Sequence, residues 1–316
     1  MRFWYQNTTS WPARLLTPFT WLMASIVGYR LKRRFRGQYG APVLVVGNLA
    51  VGGTGKSPAI QALVRHLQAQ GLKCGVISRG YGGKAPSYPW LVNREDSAEV
   101  CGDEPLLLAR SLDCPVVVDP DRDQAARFLM AQHQPDVVIS DDGLQHYRLG
   151  RNFELVMIDG RRGFGNGRLL PAGPLREPVS RLTLVDWVVA REQQPAGITT
   201  DAVLTLNPEP PTNRNGQILA PGSEVDACAG IGNPEAFFQQ LSDLGYSIKQ
   251  RWTPGDHQPL PREALTSGER PMVITEKDAI KLPGPLPEHC YVVRLQPALP
   301  EELLSTIEQA LRKALQ

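Results

Sequence analysis

Apolar runs alternate with helical patterns along most of the chain. Short, nearly continuous apolar stretches occupy residues 43–46, 74–78, 115–118, 136–140 and 155–158. Helical patterns separate several of them, as over residues 121–132. Buried apolar strands joined by helices are typical of a parallel sheet covered on both faces. The sequence therefore predicts an α/β fold whose ligands bind at the carboxyl ends of the strands.

A second, smaller α/β unit is predicted after a boundary rich in proline and asparagine at residues 205–224, a composition that favours a linker or a β-hairpin. Beyond it, strand patterns occupy residues 225–231, 246–252, 272–275 and 291–295, and helical patterns occupy residues 234–244 and 300–315. The pattern divides the chain into residues 1–40, 41–204, 205–224 and 225–316.

The stretch behind the first apolar run is rich in glycine and reads Ala50-Val51-Gly52-Gly53-Thr54-Gly55-Lys56-Ser57. In a phosphate loop the backbone N–H groups surround the phosphates, the lysine reaches the β- and γ-phosphates, and the hydroxyl binds Mg²⁺. Ala50 replaces the first glycine of this motif, and Pro58 suits the first turn of the following helix. A glycine-rich turn with an incidental lysine is the alternative, but the flanking strand and helix favour binding of a nucleoside triphosphate.

Two adjacent carboxylates, Asp141 and Asp142, close the strand pattern at residues 136–140 and precede Gly143. Because parallel strands end at the same edge of a sheet, these carboxylates are expected near Lys56 and Ser57. Phosphate-loop enzymes place a second Mg²⁺ ligand at this position, and either aspartate can supply it. The alternative is a simple acidic turn, since Asp-Asp-Gly is good turn chemistry.

The net charge of +2 hides a strong asymmetry between the two ends of the chain. The first 94 residues contain thirteen Lys and Arg and no Asp or Glu, whereas the remaining residues contain 21 basic and 32 acidic side chains. The N-terminal end therefore favours an anionic partner: a membrane surface, a nucleic acid or a polyphosphorylated substrate. The five scattered cysteines form no C-x-x-C pair and indicate reduced, buried thiols.

The first forty residues combine three tryptophans, an apolar stretch at residues 15–27 and a basic cluster at residues 30–36. Pro18 interrupts the apolar stretch, which is shorter than the ~20 residues that a bilayer-spanning helix needs. The features of a secretory signal are also missing. We therefore predict a helix that lies on a membrane surface. A soluble helix packed on the core is the alternative, and nucleic acid is disfavoured because no recognition motif accompanies the charge.

Three further polar segments each have two interpretations. Asp103 opens an apolar helix, where it is an N-cap or a functional carboxylate. The proline- and glycine-rich loop at residues 166–178 carries two arginines and a glutamate. These side chains either bind phosphates or are simply exposed to solvent. Thr275 and Asp278 follow a strand with the spacing of a helix capping box, which is the favoured interpretation there.

The chain resembles tetraacyldisaccharide 4'-kinase, the lipid A 4'-kinase of Gram-negative bacteria. The resemblance runs from the N-terminal segment to near the C-terminus, and two of its strings are specific to that family. The matching strings, in order, are Val51-Gly52-Gly53-Thr54-Gly55-Lys56, Gly102-Asp103-Glu104-Pro105, Asp141-Asp142-Gly143-Leu144-Gln145-His146, Leu169-Leu170-Pro171-Ala172-Gly173-Pro174-Leu175-Arg176-Glu177 and Asp256-His257.

The resemblance implies that ATP, with Mg²⁺, phosphorylates the 4'-hydroxyl of a tetraacylated glucosamine disaccharide 1-phosphate. It implies an enzyme attached peripherally or monotopically, through residues 1–40, to the cytoplasmic face of the inner membrane. Residues 41–204 are then the phosphate-loop kinase domain, and residues 225–316 are a smaller α/β domain. The expected partners are the lipid and the membrane surface, with no nucleic acid and no obligate protein partner.

In that family the residues matching Asp103 and His257 are thought to form a dyad, which implies that they act together at the acceptor hydroxyl. The other predicted site residues are grouped by role. Lys56 is catalytic and lies in the nucleotide-binding loop of residues 50–57, the metal ligands are Ser57, Asp141, Asp142 and Glu177, and the substrate-binding residues are Arg122 and Arg176.

Two other classes of function are less consistent with these motifs. A membrane-bound switch ATPase also pairs a Gly-Gly-x-Gly-Lys loop with a membrane segment, but its loop has a lysine just before the paired glycines, where this chain has Val51. A GTPase or a nucleic-acid-linked ATPase is the third class, and the sequence contains no Asn-Lys-x-Asp string that would read guanine. Dependence of ATP turnover on the lipid would distinguish the lipid kinase from both of these classes.

Overall fold

The computed structural model describes residues 2–5, 11–32, 38–255, 258, 260–261, 265, 269–282 and 284–316. The described strands are β1 (Val43–Gly47), β2 (Cys74–Ser78), β3 (Trp90–Leu91), β4 (Val116–Val118), β5 (Val137–Asp141), β6 (Phe153–Asp159), β7 (Trp187–Arg191), β8 (Ala202–Pro208), β9 (Thr212–Asn213), β10 (Glu224–Cys228), β11 (Ser247–Trp252), β12 (Met272–Thr275), β13 (Cys290–Val293) and β14 (Leu295–Ala298).

The described α-helices begin with a pair at the N-terminus and end with a long amphipathic helix. They are α1 (Trp11–Leu15), α2 (Thr17–Lys32), α3 (Lys56–Ala69), α4 (Ala98–Cys101), α5 (Asp103–Ser111), α6 (Arg122–His133), α7 (Pro234–Asp243), α8 (Glu276–Ile280) and α9 (Glu301–Leu315). Short 3-10 helices cover Arg2–Tyr5 and Val179–Leu184.

Strand β1 lies in the middle of the larger sheet, whose described strands run in the order β14-β8-β7-β6-β1-β5-β2-β4-β3. It pairs in parallel with β5 and with β6, while the edge strands β3 and β14 are antiparallel to their neighbours. Every residue of β1 is buried, as expected for a central strand that is covered on both faces. The carboxyl ends of β1, β5 and β6 therefore meet at one edge of the sheet.

Helices cover both faces of this sheet. On one face, Leu63 of α3, Leu106 of α5 and Ile307 of α9 pack with apolar side chains of the strands. On the other face, Ala126 and Leu129 of α6 do the same. The predicted α/β fold, a parallel sheet with helices on both faces, is confirmed.

The smaller sheet has the order β11-β10-β12-β13-β9, in which β10 to β13 are parallel and β9 is antiparallel to β13. Phe237 and Phe238 of α7 pack with Val225 and Val273 of its strands. These two phenylalanines are neighbours in sequence and both are buried, so α7 is anchored firmly on the sheet. The second, smaller α/β unit predicted from the sequence is present.

The chain crosses to the smaller sheet between β8 and β9 and returns between β13 and β14. Arg294 separates β13 from β14, so the single strand pattern at residues 291–295 covers parts of two strands in different sheets. After the return, β14 pairs with β8 and α9 packs on the larger core. The last two elements of the predicted unit 225–316, β14 and α9, therefore belong to the larger unit, because β14 pairs with β8 and the apolar side of α9 is buried there. Within the predicted linker, Thr212 and Ile218 pair antiparallel across a turn.

The N-terminal helices contact the rest of the chain through the loop at residues 166–174. The Trp4 indole N–H donates to the carbonyl of Pro171 at 3.1 Å, and Arg168 Nη1 donates to Thr17 Oγ1 at 2.8 Å. Their outer surface is strongly apolar, with Trp11 76% and Trp21 71% exposed. None of the described helices is long and apolar enough to cross a bilayer.

Helix α8 joins the two units. Thr275 Oγ1 accepts the backbone N–H of Asp278, so Thr275 caps the helix as the predicted capping box requires, while the Asp278 carboxylate accepts the N–H of Gly230. Lys277 Nζ lies 3.6 Å from Glu104 of α5, and the Ile280 side chain is buried in the core of the larger sheet. One short helix of the smaller unit thus supplies both an ionic and an apolar contact to the larger one.

Replacing Ile280 by alanine is expected to lower the free energy of unfolding by about 2–4 kcal/mol, because it leaves a cavity between the two units. Ile218→Ala is the matched control, since Ile218 is 65% exposed and its truncation is expected to cost less than about 0.5 kcal/mol. Urea unfolding followed by circular dichroism measures both. Equal losses in the two variants would contradict the assignment of Ile280 to the core.

Candidate functional site

The glycine-rich loop connects the end of β1 to the first residue of α3. Gly52 has φ 112° and Gly55 has φ 89°, a left-handed region that side-chain-bearing residues rarely adopt. Neighbours hold the loop from outside: the Val51 N–H donates to the carbonyl of Pro174 at 2.9 Å, and Ala50 bridges Leu175. The proline-rich loop at residues 166–178 therefore supports the start of the glycine-rich loop.

A buried asparagine organises the inner part of this loop. Asn48 Nδ2 donates to the carbonyl of Gly52 at 3.2 Å and to Thr54 Oγ1 at 3.1 Å. Lys56 and Ser57 follow in the first turn of α3, and both are buried. The loop, the lysine and the hydroxyl thus lie at the carboxyl end of the central strand, with the helix N-terminus behind them.

Asp142 lies beside Lys56, as predicted. Its Oδ1 is 3.6 Å from Lys56 Nζ, and its Oδ2 accepts from Arg176 Nη1 at 3.0 Å. Burial alone would raise the pKa of Asp142, but the charges of Lys56 and Arg176 outweigh it and hold the pKa below its ordinary value. Asp142 is therefore an ionised carboxylate at the mouth of the loop.

Asp141 faces the interior instead. Ser78 Oγ donates to its Oδ2 at 3.0 Å, and its Oδ1 is buried without a hydrogen-bond partner among the described residues. Burial raises the pKa of Asp141 to about 7, with the charge of Glu104 adding to the effect and that of Lys56 opposing it. The two adjacent aspartates therefore have different environments, although both lie at the same strand end.

Arg122 lies beneath this strand end, and its side chain is buried. Its Nη2 donates to the backbone carbonyls of Asp141 and Asp142, at 3.3 and 3.4 Å. Burial lowers the pKa of the Arg122 guanidinium, and the two aspartates act in the opposite direction. In this arrangement Arg122 orients the aspartates, and its predicted contact with substrate stays a prediction.

A buried ionic network extends from Asp142 into the core. Arg176 donates to Gln145 Oε1 at 3.2 Å, and Gln145 Nε2 donates to Glu177 Oε1 at 2.8 Å. Arg181, one of the most buried large side chains, donates to Glu177 Oε2 at 3.0 Å and to Glu154 Oε1 at 2.6 Å. Both oxygens of Glu177, a predicted metal ligand, therefore have protein partners, and Glu177 reaches Asp142 through Gln145 and Arg176.

Sequence analysis did not identify Glu154 or Arg181 as part of the site. Glu154 directly precedes the apolar run at residues 155–158, and a charged residue in a buried strand is a signal that a partner must exist. The position of the partner, in a 3-10 helix far along the chain, has no local signature.

Asp103 is the first residue of α5 and follows Gly102, whose φ is 90°. The neighbouring Glu104 is close enough to Asp141 to influence its pKa, so the start of α5 lies at the edge of the site. Asp256 and His257 lie outside the described residues. The structure thus brings together the loop, Lys56, Asp142 and Arg176, with the start of α5 beside them.

The donor set at this edge fits Mg²⁺. Ser57 offers a hydroxyl, and Asp141 and Asp142 offer carboxylates, one of which has the unpartnered buried oxygen described above. Within the described part of the chain, no group of three or more His, Cys, Asp or Glu side chains is placed to hold a metal. A small oxygen donor set suits Mg²⁺, which takes most of its ligands from water and substrate phosphates.

A glycine-rich loop, a buried lysine and strand-end carboxylates on this sheet define a phosphate-loop nucleotide-binding protein of the α/β class. The chain belongs to the tetraacyldisaccharide-1-P 4'-kinase family, whose sequence profile matches residues 12–312. The family resemblance carried by the motifs is confirmed. The predicted enzyme class, a kinase, is confirmed with it.

Individual relatives agree with the family assignment. The tetraacyldisaccharide 4'-kinase of Aeromonas hydrophila is 43% identical over 320 residues, covering 97% of this chain and 94% of its own. That of Legionella pneumophila strain Lens is 42% identical over 289 residues, covering 89% and 87%. The crystal structure of the "apo" form of LpxK from Aquifex aeolicus in complex with ATP matches with a TM-score of 0.79 and 27% identity, covering 96% of this chain and 100% of that one.

Arg181→Leu is expected to lower the free energy of unfolding by about 3 kcal/mol, because it leaves Glu154 and Glu177 buried without their shared partner. Arg148→Leu removes the same charge from a side chain that is 78% exposed, and a change below about 1 kcal/mol is expected there. Thermal and urea unfolding compare the two. A cost for Arg181→Leu no larger than that for Arg148→Leu would contradict the role of the network.

Proposed function

We propose that this protein transfers the γ-phosphoryl group of ATP to the 4'-hydroxyl of a tetraacylated glucosamine disaccharide 1-phosphate at the cytoplasmic face of the inner membrane. The observation that carries the proposal is the meeting of the glycine-rich loop, Lys56 and Asp142 at one sheet edge in a member of this kinase family. The relatives' names supply the acceptor, and the solved relative in complex with ATP supplies the donor.

The roles of the residues follow from their positions. Loop N–H groups and Lys56 bind the phosphates, and Lys56 stabilises the charge that develops on the transferred group. Ser57 with Asp142 or Asp141 would hold Mg²⁺, which neutralises phosphate charge when bound. Arg176, 3.0 Å from Asp142 Oδ2, adds a second cation beside the loop, where it helps to keep Asp142 ionised and supplies positive charge for an anionic substrate.

A sugar hydroxyl needs a base to accept its proton as the phosphoryl group moves. Lys56 and Asp142 are engaged with each other, so the base must come from elsewhere at the edge of the site. Asp103 at the start of α5 is our candidate, with His257 of the smaller unit as the residue that orients it. The contact between Lys277 of the smaller unit and Glu104, next to Asp103, supports an active site completed by both units.

The membrane attachment rests on the outer surface of α1 and α2. Its exposed apolar side chains are Trp11, Leu15, Phe19, Trp21, Leu22, Ile26 and Tyr29. The region around them carries basic and no acidic side chains. Such a surface binds in the headgroup region of an anionic bilayer, from which a peripheral enzyme can reach the headgroup of an acylated substrate.

Lys56→Ala and Asp142→Ala are each expected to lower kcat by at least about 10²-fold, because each removes charge that stabilises the transition state or holds the metal. Asp113→Ala, at a fully exposed side chain, is the control and should leave kcat within about twofold. Transfer of label from γ-labelled ATP to the lipid in detergent measures all three. Near-normal transfer by either well-folded site variant would refute the assignment.

Trp21→Ser with Leu22→Ser is expected to weaken binding to anionic vesicles by about tenfold or more, because both side chains lose apolar contact with the bilayer. Ile218→Ser, which removes an equally exposed apolar side chain elsewhere, should not change binding. Vesicle sedimentation measures the effect, and high salt should release part of the wild-type protein. Unchanged sedimentation of the double variant, or of a protein lacking residues 1–36, would exclude this surface.

Asp103→Ala and His257→Ala are expected to be strongly non-additive in kcat, because a dyad fails when either member is lost. The double variant should therefore lose far less than the product of the two single losses. Pairing His257→Ala with Asp113→Ala provides an additive reference. Full additivity of Asp103→Ala with His257→Ala, or an unchanged kcat in His257→Ala, would contradict the dyad.

A further inference from the structure

Two arginines contact the glycine-rich loop from the side opposite Asp142. The strand order places β5 on one side of β1 and places β6 and β7 on the other. Asp159 ends β6 and Arg191 ends β7, while Arg162 follows β6 in the next turn. All three side chains therefore lie at the carboxyl edge of the sheet, beside the loop.

Asp159 holds both arginines. Its Oδ2 accepts from Arg162 Nε at 3.0 Å, from Arg162 Nη2 at 2.8 Å and from Arg191 Nη2 at 3.0 Å. Its Oδ1 accepts the backbone N–H groups of Arg161 and Arg162 at 3.1 and 2.9 Å. Burial alone would raise the pKa of Asp159, but these bonds and charges lower it, so the carboxylate is ionised and fully engaged.

The arginines in turn hold one backbone carbonyl of the loop. Arg162 Nη2 donates to the carbonyl of Gly53 at 2.9 Å, and Arg191 Nη1 donates to the same oxygen at 3.5 Å. In a trans peptide the carbonyl and the following N–H point in opposite directions. With the Gly53 carbonyl held by the arginines, the Thr54 N–H points away from them, toward the inner side of the loop.

Arg191 packs closely enough on the loop to leave no room for a side chain at Gly55. A Cβ built on Gly55 would approach Arg191 Cδ to 2.9 Å, and one built on Gly52 would approach Arg162 Nη1 to 3.5 Å. Glycines impose little conformational preference of their own, so bonds from outside determine which way the peptides face. Asn48 fixes the Gly52 carbonyl, and the two arginines fix the next one along the chain.

We propose that Asp159, Arg162 and Arg191 form a clamp that positions the Gly53–Thr54 peptide for phosphate binding. This inference rests on the proposed function only in that the loop binds a nucleotide. The three residues are positioning residues, because they act through a backbone carbonyl of the loop. The loop N–H groups surround phosphates that ATP and ADP share, so the clamp must serve both nucleotides equally.

The test is equilibrium binding of ATP and of ADP to the full chain, measured by calorimetry. Arg162→Ala is expected to weaken both about tenfold, the loss that follows from removing a hydrogen bond between a charged group and a loop carbonyl. Arg161→Ala is the matched control: it removes the same charge one residue away, from a side chain that pairs only loosely with Glu192 at 3.7 Å, and should change binding less than twofold.

Asp159→Asn is the second variant. The asparagine oxygen can still accept the backbone N–H groups of Arg161 and Arg162, but the amide nitrogen that replaces Oδ2 cannot accept from the arginines. This variant should weaken both nucleotides in the same direction, and combined with Arg162→Ala it should add little. Binding by Arg162→Ala within twofold of Arg161→Ala would overturn the clamp, as would a loss confined to ATP, which would indicate direct contact with the γ-phosphate. Transfer to the lipid by the wild-type chain is measured in parallel. If the wild-type chain does not phosphorylate the lipid, the proposed function is wrong, but the nucleotide-binding measurements still test the clamp.

Discussion

Peptide orientation in a loop built largely from glycine is the constraint on which the rest of the structure depends. A phosphate is bound only when successive N–H groups face one cavity, and glycines do not impose that arrangement themselves. Each orientation has an external partner: Pro174 for the Val51 N–H, Asn48 for the Gly52 carbonyl and Arg162 for the Gly53 carbonyl. The end of β1, the turn after β6 and the proline-rich loop bring these partners to the sheet edge.

Placing a lysine at the edge of a buried sheet creates a second constraint, which is charge balance. Lys56 faces Asp142, Asp142 faces Arg176, and the neutral Gln145 links Arg176 to Glu177, which pairs with the deeply buried Arg181. A buried charge without an opposite partner is costly, so each charged member of the series requires an oppositely charged neighbour. The same charge balance explains why the proline-rich loop contains Glu177, which is buried and pairs with Arg181.

Much of the larger unit could be predicted from the sequence, because the phosphate loop and the buried strands have local signatures. The strand at Cys74–Ser78 and the helix beginning at Arg122 match the predicted segments to within a residue or two. Strands β7 and β8 were not predicted, although residues 188–190 are apolar and Pro195 and Gly197 mark a turn between the two strands. The clamp on Gly53 was also not predicted, because its carboxylate and its arginines come from two different strand ends and carry no fixed spacing.

The connection between the units explains why the boundary near residue 225 describes only part of the architecture. The outgoing and returning segments run side by side, joined by the hydrogen bond from the Glu209 N–H to the Arg294 carbonyl at 2.9 Å. Helix α8 makes the third connection, with Ile280 in the larger core and Lys277 beside Glu104. Two adjacent segments alone would leave the smaller unit free to rotate about their line, and the contacts of α8 with the larger core and with Glu104 oppose that rotation. The proposed completion of the acceptor site at Asp103 by the smaller unit therefore depends on the geometry of this joint.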